Sequence, residues 1–329
     1  MKVAINGFGR IGKLVFRAFL EKNLKGVEIV AINELGSLDS SLHLMQFDSI
    51  HGKLPVEIKK TSKGLKYKNK EIKFFSERDP KNLPWKQLKV DVVLECSGVF
   101  ASKEKASSHL IAGAKKVIIS APGSNVDATI VQGVNNNILK STHNVISNGS
   151  CTTNCLAPVA MVLDKNVGIE SGFMTTIHSY TGDQRTVDQT HSDLRRARGA
   201  AISMIPTSTG AAKALSLVLP KLKGRLDGTA IRVPTPNVSL IDFTFTSKKK
   251  TSVEKINDFV SKAAKSKQLK NILTTNNLPL VSIDFNHNSS SSVFDLTQTQ
   301  VINQKFCRVL SWYDNEWGFS NRMIDTMLD

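Results

Sequence analysis

Cysteines, aromatic residues and long apolar runs are all scarce in this chain of 329 residues. Four cysteines are too few for a disulfide framework, so we expect a reducing, cytoplasmic setting. No apolar run approaches the roughly 18 residues that a membrane helix needs, and the first residues are typical of a strand rather than a signal peptide. We expect no zinc site, because Cys151 and Cys155 have no second Cys or His pair at metal spacing.

Acidic residues are few relative to basic ones: 28 Asp and Glu stand against 44 Lys and Arg, a formal net charge of +16. Such a charge attracts polyanions, which makes a nucleic-acid-binding protein one alternative. The lysines are scattered, however, and the longest run covers only residues 248–250. With 6% aromatic residues, a surface that stacks bases is poorly supported. We therefore expect a solvated, Lys-rich surface and at most weak, salt-sensitive nucleic-acid binding.

A glycine-rich turn lies between a short strand and a helix at the start of the chain. Residues 3–5 have the pattern of a buried strand, and the apolar residues after the turn repeat at helical spacing. Between them, residues 7–12 read GFGRIG, the GxGxxG fingerprint in the context that a dinucleotide site requires. Gly7 allows the tight turn, Gly9 lets a pyrophosphate approach the backbone and Gly12 lets helix and strand pack closely. The phosphates would lie at the N-terminus of the helix.

The second apolar run, residues 27–32, predicts a neighbouring strand that ends close to Glu34. Glu34 follows Gly12 by 22 residues. An acid at that distance from the fingerprint binds the ribose hydroxyls of NAD and repels the extra phosphate of NADP. The alternative is an ordinary acid at a strand end. Given the fingerprint, we expect ribose contact, with NAD as the cofactor.

Three further segments complete the pattern of an α/β domain. Residues 53–75 alternate and are rich in lysine, which is typical of exposed antiparallel strands. Apolar strands are predicted at residues 90–95 and 116–120, each followed by small residues. Small residues after parallel strands lie at the carboxyl edge of the sheet, where ligands bind, although turn chemistry alone explains them equally well. Residues 1–150 are therefore predicted to form a doubly wound, dinucleotide-binding domain.

The second half of the chain changes character. Ile241, Phe243 and Phe245 alternate with polar residues, which predicts a half-buried, largely antiparallel sheet. The predicted strands are residues 173–179, 241–246, 279–285, 291–296 and 305–312, and the predicted helices are residues 210–219 and 253–264. An irregular, Arg-rich stretch covers residues 180–203, and loops of that length inside a compact domain are usually functional. The domain is thus predicted to be α+β, followed by an amphipathic helix over residues 318–328 that docks on the body.

Residues 150–155, which read SCTTNC, lie between a predicted strand at residues 144–147 and an apolar helical pattern. Cys151 should therefore sit at the start of a helix, where unpaired N–H groups and the helix dipole favour an anion. Such a setting, or a nearby imidazolium, lowers a thiol pKa from about 8.5 to roughly 3.5–7.5 and makes a nucleophile at neutral pH. The alternative is that this stretch of Ser, Thr and Asn only caps the helix. These residues alone do not decide between the two.

Seven motifs, in order along the whole chain, closely resemble those of the phosphorylating glyceraldehyde-3-phosphate dehydrogenase family. They are INGFGRIG at 5–12, SCTTNCLAP at 150–158, TIHSYTGDQ at 176–184, DLRRARGAA at 193–201, PTSTGAAKA at 206–214, RVPTPNVS at 232–239 and WYDNEWGFSNRM at 312–323. SCTTNC together with HSYT is far more specific than GxGxxG. The resemblance implies an NAD-binding Rossmann domain over residues 1–150, to which a C-terminal helix at 316–329 returns, and an α+β catalytic domain over residues 151–315.

By this resemblance, Cys151 is the nucleophile that attacks the aldehyde to form a thiohemiacetal. Hydride then passes to NAD, and inorganic phosphate cleaves the resulting thioester. A thiolate suits this chemistry, because an aldehyde releases hydride only after a group has added to its carbonyl, and a thioester keeps the oxidation energy for transfer to phosphate. His178 matches the general base, which forms an ion pair with Cys151 and hydrogen-bonds the developing oxyanion. Cys155 matches a family cysteine that is not the nucleophile, and it is expected to pack within the helix.

The resemblance also assigns the groups that bind anions and cofactor. The attacking phosphate would contact Ser150, Thr152, Arg196, Thr209 and Gly210, and the substrate's own phosphate would contact Thr181 and Arg232. The cofactor would contact Gly7, Gly9, Arg10, Ile11, Gly12, Glu34, Arg78, Ser97, Gly98, Phe100, Ser120 and Asn315. In this set, Arg78 and Phe100 match the adenine surroundings, and Asn315 matches the residue that orients the nicotinamide amide. Arginine forks, hydroxyls and backbone N–H groups suit phosphate oxygens.

The Arg-rich stretch matches a loop that, in this family, reaches the cofactor site of a neighbouring subunit, so a homotetramer is expected. Two departures from the common pattern concern the cofactor. Gln189 and Thr190 replace a Leu-Pro pair before His191, which makes the ribose surroundings more polar, and Glu34 replaces a shorter Asp. NAD is still expected, because a carboxylate facing the 2′-phosphate of NADP is strongly unfavourable.

The nearest alternative is erythrose-4-phosphate dehydrogenase, a relative with the same Cys/His pair. Residues 33–34 and 279–287 are similar to both enzymes, whereas HSYTGDQR and PTSTGAA keep the glyceraldehyde-3-phosphate pattern of phosphate ligands. The resemblance therefore favours glyceraldehyde 3-phosphate and inorganic phosphate as substrates. A catalytically inactive homologue is not expected, because every matched catalytic position holds a competent residue.

Overall fold

The computed structural model describes all 329 residues and divides the chain into two compact units. The first unit contains Met1–Ile130, Asn136–Gly149 and Ser320–Asp329, and the second contains Val131–Asn135 and Ser150–Phe319. None of the helices is both long enough and apolar enough to cross a membrane.

A nine-stranded, mostly parallel sheet forms the centre of the first unit. In chain order the elements of this part are β1 (Lys2–Asn6), α1 (Arg10–Lys22), β2 (Glu28–Asn33), α2 (Leu38–Gln46), β3 (Phe47–Asp48), β4 (Gly52–Lys53), β5 (Lys59–Thr61), β6 (Gly64–Tyr67), β7 (Lys70–Phe75), α3 (Trp85–Leu88), β8 (Val92–Glu95), α4 (Lys103–Ile111), β9 (Lys116–Ile119), β10 (Ala128–Thr129) and β11 (Val145–Ser147). Strands β3 and β4 pair only with each other, and the order in the main sheet is β10-β11-β9-β8-β1-β2-β7-β6-β5. The doubly wound architecture predicted from the sequence is confirmed.

The order of the strands reverses at β1, which lies between β2 and β8 and is parallel to both. The last residue of each of these three strands is polar and buried, and Asn6 pairs in register with both Asn33 and Glu95. Ligands of doubly wound sheets bind beyond the carboxyl ends of the strands at such a point. We refer to these three strand ends and the loops that follow them as the cofactor edge.

Residues 53–75 extend this sheet beyond β2. Strands β5, β6 and β7 pair antiparallel with one another, as predicted, but β7 also joins β2 in parallel. The extension is less exposed than predicted, because Leu65 and Ile72 pair across the two strands and are both buried. On the opposite face, Lys59 and Lys66 lie directly across from each other and are exposed.

The second unit is built on an eight-stranded, largely antiparallel sheet. The remaining elements of the chain are α5 (Cys151–Asn166), β12 (Ile169–Ser179), β13 (Ile205–Ser208), α6 (Ala211–Val218), β14 (Leu226–Val233), β15 (Ser239–Ser247), α7 (Val253–Ala264), β16 (Leu273–Asn276), β17 (Ser292–Asp295), β18 (Gln300–Ile302), β19 (Phe306–Tyr313) and α8 (Trp317–Leu328). The sheet order is β13-β14-β12-β15-β19-β17-β16, and β18 pairs with β19. The predicted α+β character of this part of the chain is confirmed.

Apolar residues alternate along β15 and face the core of the second unit. Ile241, Phe243 and Phe245 are buried, whereas Asp242 and Thr244 on the other face are partly exposed. The buried face packs with apolar residues of α5, α6 and α7 in one continuous cluster. Burial on one face explains why the sequence shows a period of two in this strand.

One strand predicted for the second unit does not form. Residues 279–285 contain instead a short 3₁₀ turn, Ser282–Phe285, in which the Asp284 carboxylate accepts the N–H of Val281 at 2.8 Å. An acid three residues after a turn begins satisfies a backbone donor that a strand would have paired elsewhere. Only Phe285 is buried, and Val281 is exposed, so the apolar alternation of this stretch does not reflect one buried face.

Strands β13, β14 and β16 are not evident from the sequence. Most residues of β14 are only partly buried, and Gly228 interrupts its alternation. A side chain is excluded at Gly228, because a Cβ there would lie 2.6 Å from the carbonyl oxygen of Met174 in β12. Close pairing with β12 therefore decides the structure of β14, and the local sequence pattern does not reveal that pairing.

We expect Phe243→Ala to lower the free energy of unfolding by about 3–5 kcal/mol, the usual cost of emptying a buried aromatic site. Phe243 is fully buried and stacks on Phe245 with ring centroids 5.2 Å apart. Urea unfolding followed by circular dichroism measures the loss. Thr244→Ala, on the outer face of the same strand, is the control and should cost less than about 1 kcal/mol. Equal losses in the two variants would contradict the one-sided burial of β15.

Candidate active site

The first turn of α5 carries Cys151 and follows β11 after a three-residue turn. Ser150 is the N-cap of the helix, and its Oγ accepts the N–H of Thr153 at 3.0 Å. The prediction that Cys151 begins a helix is confirmed. Cys151 keeps some solvent exposure as a residue, whereas its thiol lies beside His178 and is largely removed from water.

His178 in β12 lies beside this thiol. Its Nε2 is 3.5 Å from Sγ of Cys151, and its Nδ1 is 2.7 Å from the carbonyl oxygen of Ser179. The guanidinium of Arg232 donates to the same carbonyl at 3.0 Å and lies 2.9 Å from Nδ1. Nδ1 thus faces both an acceptor, the carbonyl oxygen of Ser179, and a group that can only donate, the guanidinium of Arg232. In the tautomer that donates Nδ1–H to Ser179, Nε2 is unprotonated and can accept the thiol proton.

Burial opposes an isolated charge on either partner of this pair. Burial raises the pKa of the Cys151 thiol, while the charge of Arg232 partly opposes that shift. Burial also lowers the pKa of His178 to about 3, and the charge of Arg232 adds to the effect. The expectation of a thiolate at neutral pH took the helix N-terminus and the imidazole into account but not this burial. Moving the proton from Sγ to Nε2 creates both charges together and leaves the net charge unchanged.

Cys155, one helical turn further along α5, has no such partner. It is fully buried, with its Sγ 3.4 Å from Oγ of Ser292 and 3.8 Å from the carbonyl oxygen of Ser311. Burial raises the pKa of Cys155 to about 12, so it remains a thiol at neutral pH. The prediction that Cys155 packs within the helix is confirmed.

The starts of α5 and α6 lie close together. Thr153 Oγ1 in the first turn of α5 is 3.4 Å from the carbonyl oxygen of Ala211, the first residue of α6. Gly210 is the N-cap of α6 and offers no capping side chain, while Thr209 Oγ1 accepts the N–H of Ala211. Helix N-termini attract anions, so two of them side by side with the hydroxyl of Ser150 suit a phosphate.

Arg196, in the Arg-rich stretch, points toward the residue that precedes Thr209. Its NH2 donates to the carbonyl oxygen of Ser208 at 3.3 Å, and its Nε donates to Thr207 at 3.0 Å. The third guanidinium nitrogen, NH1, donates to Oδ2 of Asp183 at 2.6 Å. The structure thus places Arg196 against residues 207–208, immediately before Thr209 in the chain, with its guanidinium paired to Asp183.

The second predicted phosphate site contains Thr181 and Arg232. Thr181 donates its backbone N–H and its hydroxyl to Oε1 of Gln184. Arg232 stands opposite His178 in the register of β14 and β12, and its buried Nε has no hydrogen-bond partner. An unpaired buried donor on a cation is costly, and an anionic ligand would satisfy it. The hydroxyl oxygen of Thr152, by contrast, lies 2.8 Å from the hydroxyl oxygen of Tyr313.

The glycine-rich turn at the cofactor edge fits a dinucleotide. Gly7 has φ +84°, and a Cβ there would lie 2.4 Å from the backbone N of Ser97. A Cβ on Gly12 would lie 2.1 Å from the carbonyl oxygen of Gly7. At Gly9, the N-cap of α1, a Cβ would meet nothing within 4 Å, and no side chain caps the helix. The turn is therefore packed on its inner side and open at the helix N-terminus, where phosphates bind.

The side chains next to this turn are held in place. Glu34 accepts the N–H of Phe8 at 2.6 Å through Oε2 and that of Gly36 at 3.0 Å through Oε1, which leaves lone pairs for ribose hydroxyls. Arg10 forms an ion pair with Asp48, with NH1 2.5 Å from Oδ2. Burial alone would raise the pKa of Asp48, but hydrogen bonds from Arg10 and from two backbone N–H groups lower it to about 2.

The other residues predicted to bind the cofactor lie in the first unit, except Asn315, which lies in the second. Ile11 lies in the first turn of α1, and Ser97, Gly98, Phe100 and Ser120 follow the ends of β8 and β9, while Arg78 is exposed after β7. The hydroxyl of Ser97 donates to Glu95 and accepts the N–H of Val99, so this side chain supports the loop. Asn315 belongs to the second unit, where its Oδ1 accepts hydrogen bonds from Ser179 and Ser239 at 2.9 and 2.8 Å.

Comparison with known proteins agrees with this arrangement. Residues 1–103 match the family model described as glyceraldehyde 3-phosphate dehydrogenase, NAD binding domain, and residues 150–315 match the C-terminal domain of the same family. A glyceraldehyde-3-phosphate dehydrogenase of Xanthobacter flavus is 59% identical over 326 residues, which cover 99% of this chain and 97% of that protein. Those of Zymomonas mobilis and Geobacillus stearothermophilus are 54% and 53% identical, each over 99% of this chain and over 97% and 96% of their own lengths.

The chain belongs to the glyceraldehyde-3-phosphate dehydrogenase family. The family suggested by the seven motifs is thereby confirmed, and so are its NAD-binding domain and its NAD cofactor.

Three side chains near the family's site were not singled out from the sequence. Tyr313 in β19 shares hydrogen bonds with Thr152 and Thr176, and its ring packs edge-on against His178 with centroids 5.9 Å apart. Asp48 pairs with Arg10 at the start of α1, and Glu95 accepts the N–H of Ser97 in the loop after β8. Tyr313 lies in a quoted motif, WYDNEWG, which is the one signal that points to it.

Replacing His178 should shift the reactivity of Cys151 to higher pH. In His178→Asn no base can accept the thiol proton, so the burial-raised pKa of Cys151 alone determines how much thiolate forms. We expect alkylation by iodoacetamide at pH 7 to slow by at least ~10-fold and to recover as the pH rises. Mass spectrometry of the alkylated protein assigns the site, and Cys155 should stay unmodified in both proteins. An unchanged rate at pH 7 would show that His178 is not the base.

Gly9→Ala should separate cofactor binding from folding. The backbone at Gly9 has φ −72°, which alanine tolerates, and the added Cβ meets no protein atom. We expect the melting temperature to change by less than about 3 °C, while the dissociation constant for NAD rises at least ~10-fold because the methyl group occupies the phosphate approach. Calorimetry and circular dichroism measure the two effects. Gly7→Ala is the contrasting variant and should lose stability; a Gly9→Ala protein with unaltered affinity would contradict this role.

Proposed function

We propose that this chain catalyses the phosphorylating oxidation of glyceraldehyde 3-phosphate by NAD, with Cys151 as the covalent nucleophile. The observation that carries the proposal is the 3.5 Å contact between Sγ of Cys151 and Nε2 of His178, whose Nδ1 is fixed by Ser179. A thiol paired with an oriented base is the arrangement that covalent catalysis by cysteine requires. The match to this family along both domains supports the same reaction.

The reaction begins with proton transfer from Sγ of Cys151 to Nε2 of His178. Sγ then adds to the aldehyde carbon, and the oxyanion that forms takes a hydrogen bond from the protonated Nε2. The result is the anion of a thiohemiacetal on Cys151, while the thiol proton stays on Nε2 of His178. When bound, NAD supplies the acceptor for the hydride whose loss converts this group into a thioester. An oxygen of inorganic phosphate attacks the thioester carbon, the C–S bond breaks, and 1,3-bisphosphoglycerate leaves Cys151 as the thiolate.

Two anion sites hold the phosphates in this proposal. The starts of α5 and α6, with Ser150 and Arg196, suit the attacking phosphate, because they offer backbone N–H groups and a guanidinium. Thr181 and the unpaired Nε of Arg232 suit the phosphate of the substrate. Because Arg232 also donates to Ser179, binding at this site would steady the carbonyl that orients His178.

The residues of the cofactor edge would hold NAD. Gly7, Gly9 and Gly12 leave the N-terminus of α1 open for the pyrophosphate, and the Glu34 carboxylate suits the ribose hydroxyls. The same carboxylate disfavours the 2′-phosphate of NADP. Asn315 would contact the nicotinamide amide, since its Nδ2 is left for a ligand when Ser179 and Ser239 bind its Oδ1.

We also assign residues 1–150, together with the helix at 316–329, to the NAD-binding domain and residues 151–315 to the catalytic domain. A cytoplasmic homotetramer is the expected form of the enzyme. Four apolar side chains in or next to the Arg-rich stretch support assembly, because they are 74–88% exposed in the single chain: Val187, Leu194, Ile202 and Met204. Exposed apolar groups clustered on one segment are typical of a surface that another subunit covers.

NADH formation from glyceraldehyde 3-phosphate and NAD tests the reaction, with and without inorganic phosphate. We expect phosphate-dependent turnover in the natural chain and a loss of at least ~1000-fold in Cys151→Ser, since a hydroxyl does not replace the thiol. Cys155→Ser is the matched control and should retain activity. Turnover that ignores phosphate would indicate a hydrolytic aldehyde dehydrogenase instead. Faster turnover of erythrose 4-phosphate would move the assignment to erythrose-4-phosphate dehydrogenase.

A further inference from the structure

A chain of buried hydrogen bonds runs behind the cofactor edge, within the first unit. At one end the indole Nε1 of Trp85 donates to Nδ1 of His109 at 3.0 Å. Nε2 of His109 lies 3.0 Å from Oε2 of Glu95. All three side chains are at most 1% exposed, so no water competes for these bonds. The catalytic proposal does not use any of the three residues.

The same carboxylate connects to the neighbouring strands. Oε2 of Glu95 also accepts Nδ2 of Asn6 at 2.6 Å, and Oδ1 of Asn6 accepts Nδ2 of Asn33 at 2.7 Å. Asn33 then forms two bonds to the backbone of Glu77, one to its carbonyl oxygen at 2.9 Å and one from its N–H at 2.8 Å. We call these six residues the polar ladder: Trp85, His109, Glu95, Asn6, Asn33 and Glu77.

The direction of each bond in the polar ladder is fixed. An indole can only donate, so Nδ1 of His109 must accept and Nε2 must carry the proton that goes to Glu95. The two carboxyl oxygens of Glu95 receive four bonds: from His109, from Asn6 and from both the N–H and the hydroxyl of Ser97. No member can rotate or exchange roles without leaving a buried donor unpaired, which costs free energy comparable to a lost hydrogen bond.

Each rung of the polar ladder adjoins a residue assigned to the cofactor. Asn6 precedes Gly7, Asn33 precedes Glu34, and Glu77 precedes Arg78. At the other end, Glu95 binds Ser97 directly, and the ring of Phe100 packs edge-on against His109 with centroids 6.0 Å apart. Gly7 also packs closely against Ser97, since a Cβ at Gly7 would lie 2.4 Å from the backbone N of Ser97. One set of bonds therefore fixes the separation of Gly7 from Ser97. The same bonds fix the positions of Glu34, Arg78 and Phe100 relative to one another.

We propose that the polar ladder positions the adenosine half of the cofactor site, with Glu95 and His109 as positioning residues for NAD. This inference rests on the proposed function only in taking NAD as the ligand. The ladder keeps the loops after β1, β2 and β8 in the conformation that binds. If only a fraction of molecules hold that conformation, the apparent dissociation constant rises by the inverse of that fraction.

Glu95→Gln tests the proposal without changing the size of the side chain. A carboxamide keeps one acceptor oxygen and turns an NH2 group toward two of the four donors that face Glu95. We expect the dissociation constant for NAD, measured by calorimetry, to rise ~10- to 100-fold. The KM for NAD should rise with it, while the KM for the aldehyde and the alkylation rate of Cys151 without NAD stay within about twofold. Charge alone would act the opposite way, because removing a carboxylate near an anionic cofactor should tighten binding.

His109→Gln is the matched rescue variant. A glutamine amide can accept from Trp85 with its oxygen and donate to Glu95 with its nitrogen, so the order of donors and acceptors is kept. We expect its NAD affinity to stay within about threefold of the natural chain, whereas His109→Leu should behave like Glu95→Gln. Trp312→Phe removes an indole bond to a carboxylate, Asp295, in the second unit and should leave NAD affinity unchanged.

Unchanged or tighter NAD binding by folded Glu95→Gln would overturn the proposal, as would equal losses in His109→Gln and His109→Leu. Should Glu95→Gln fail to fold, Trp85→Phe removes a single donor at nearly constant shape, and a several-fold weaker affinity is then expected; an unchanged affinity would again overturn the proposal. Calorimetry with NAD alone does not depend on turnover. A natural chain that binds NAD but does not oxidise glyceraldehyde 3-phosphate would refute the proposed function and leave this inference standing.

Discussion

Burial of a thiol and an imidazole side by side is the constraint on which the Cys151–His178 pair of the second unit depends. Neither Cys151 nor His178 gains a charge readily by itself, because each would lose water without gaining a counter-charge. Only a proton that moves from one to the other keeps the pair neutral. The start of α5 holds the sulfur and β12 holds the ring, with Nε2 3.5 Å from Sγ and Nδ1 2.7 Å from the carbonyl oxygen of Ser179.

Arg232 has a less obvious position in this arrangement. A cation next to an imidazole disfavours protonation, and it would weaken the base if it were present for its charge alone. The same cation favours the thiolate of Cys151, so it acts on the two partners in opposite directions. An anion bound to its unpaired Nε would reduce its effect on His178. In the proposed function, occupation of the anion site at Arg232 would therefore be electrostatically connected to proton transfer between Cys151 and His178.

Local patterns predicted the parts of the structure that depend on short-range physics. The GxGxxG turn requires glycines where a Cβ would strike Ser97 or Gly7, and that requirement is visible in the sequence. The period of two in β15 follows from one buried face, and the capping residues before Cys151 mark a helix start. In each case the residues that carry the pattern lie within a few positions of one another, even where, as at Gly7, the atom that a side chain would strike is distant in sequence.

Other features depend on contacts between distant parts of the chain and could not be predicted. Strand β14 exists because it pairs with β12, and Arg232 reaches His178 through that register. The polar ladder joins residues up to 103 positions apart, from Asn6 to His109, and of its members only Asn6 lies within one of the seven motifs. The apolar alternation of residues 279–285 misled the prediction, since a nearby acid closes a turn there.

The first unit is discontinuous in sequence, and this has a consequence for how the protein is made. Its segment Ser320–Asp329 carries Asp325, which pairs with Lys22, and Thr326, which bonds to Asn148. A ribosome must synthesise the whole of residues 150–319 before that segment appears. Domains usually acquire their structure in the order of synthesis, but here the unit that begins first is completed last. During translation the nascent first unit therefore lacks its last segment until the second unit has been synthesised. Until then, the surface near α1 that this segment contacts stays uncovered.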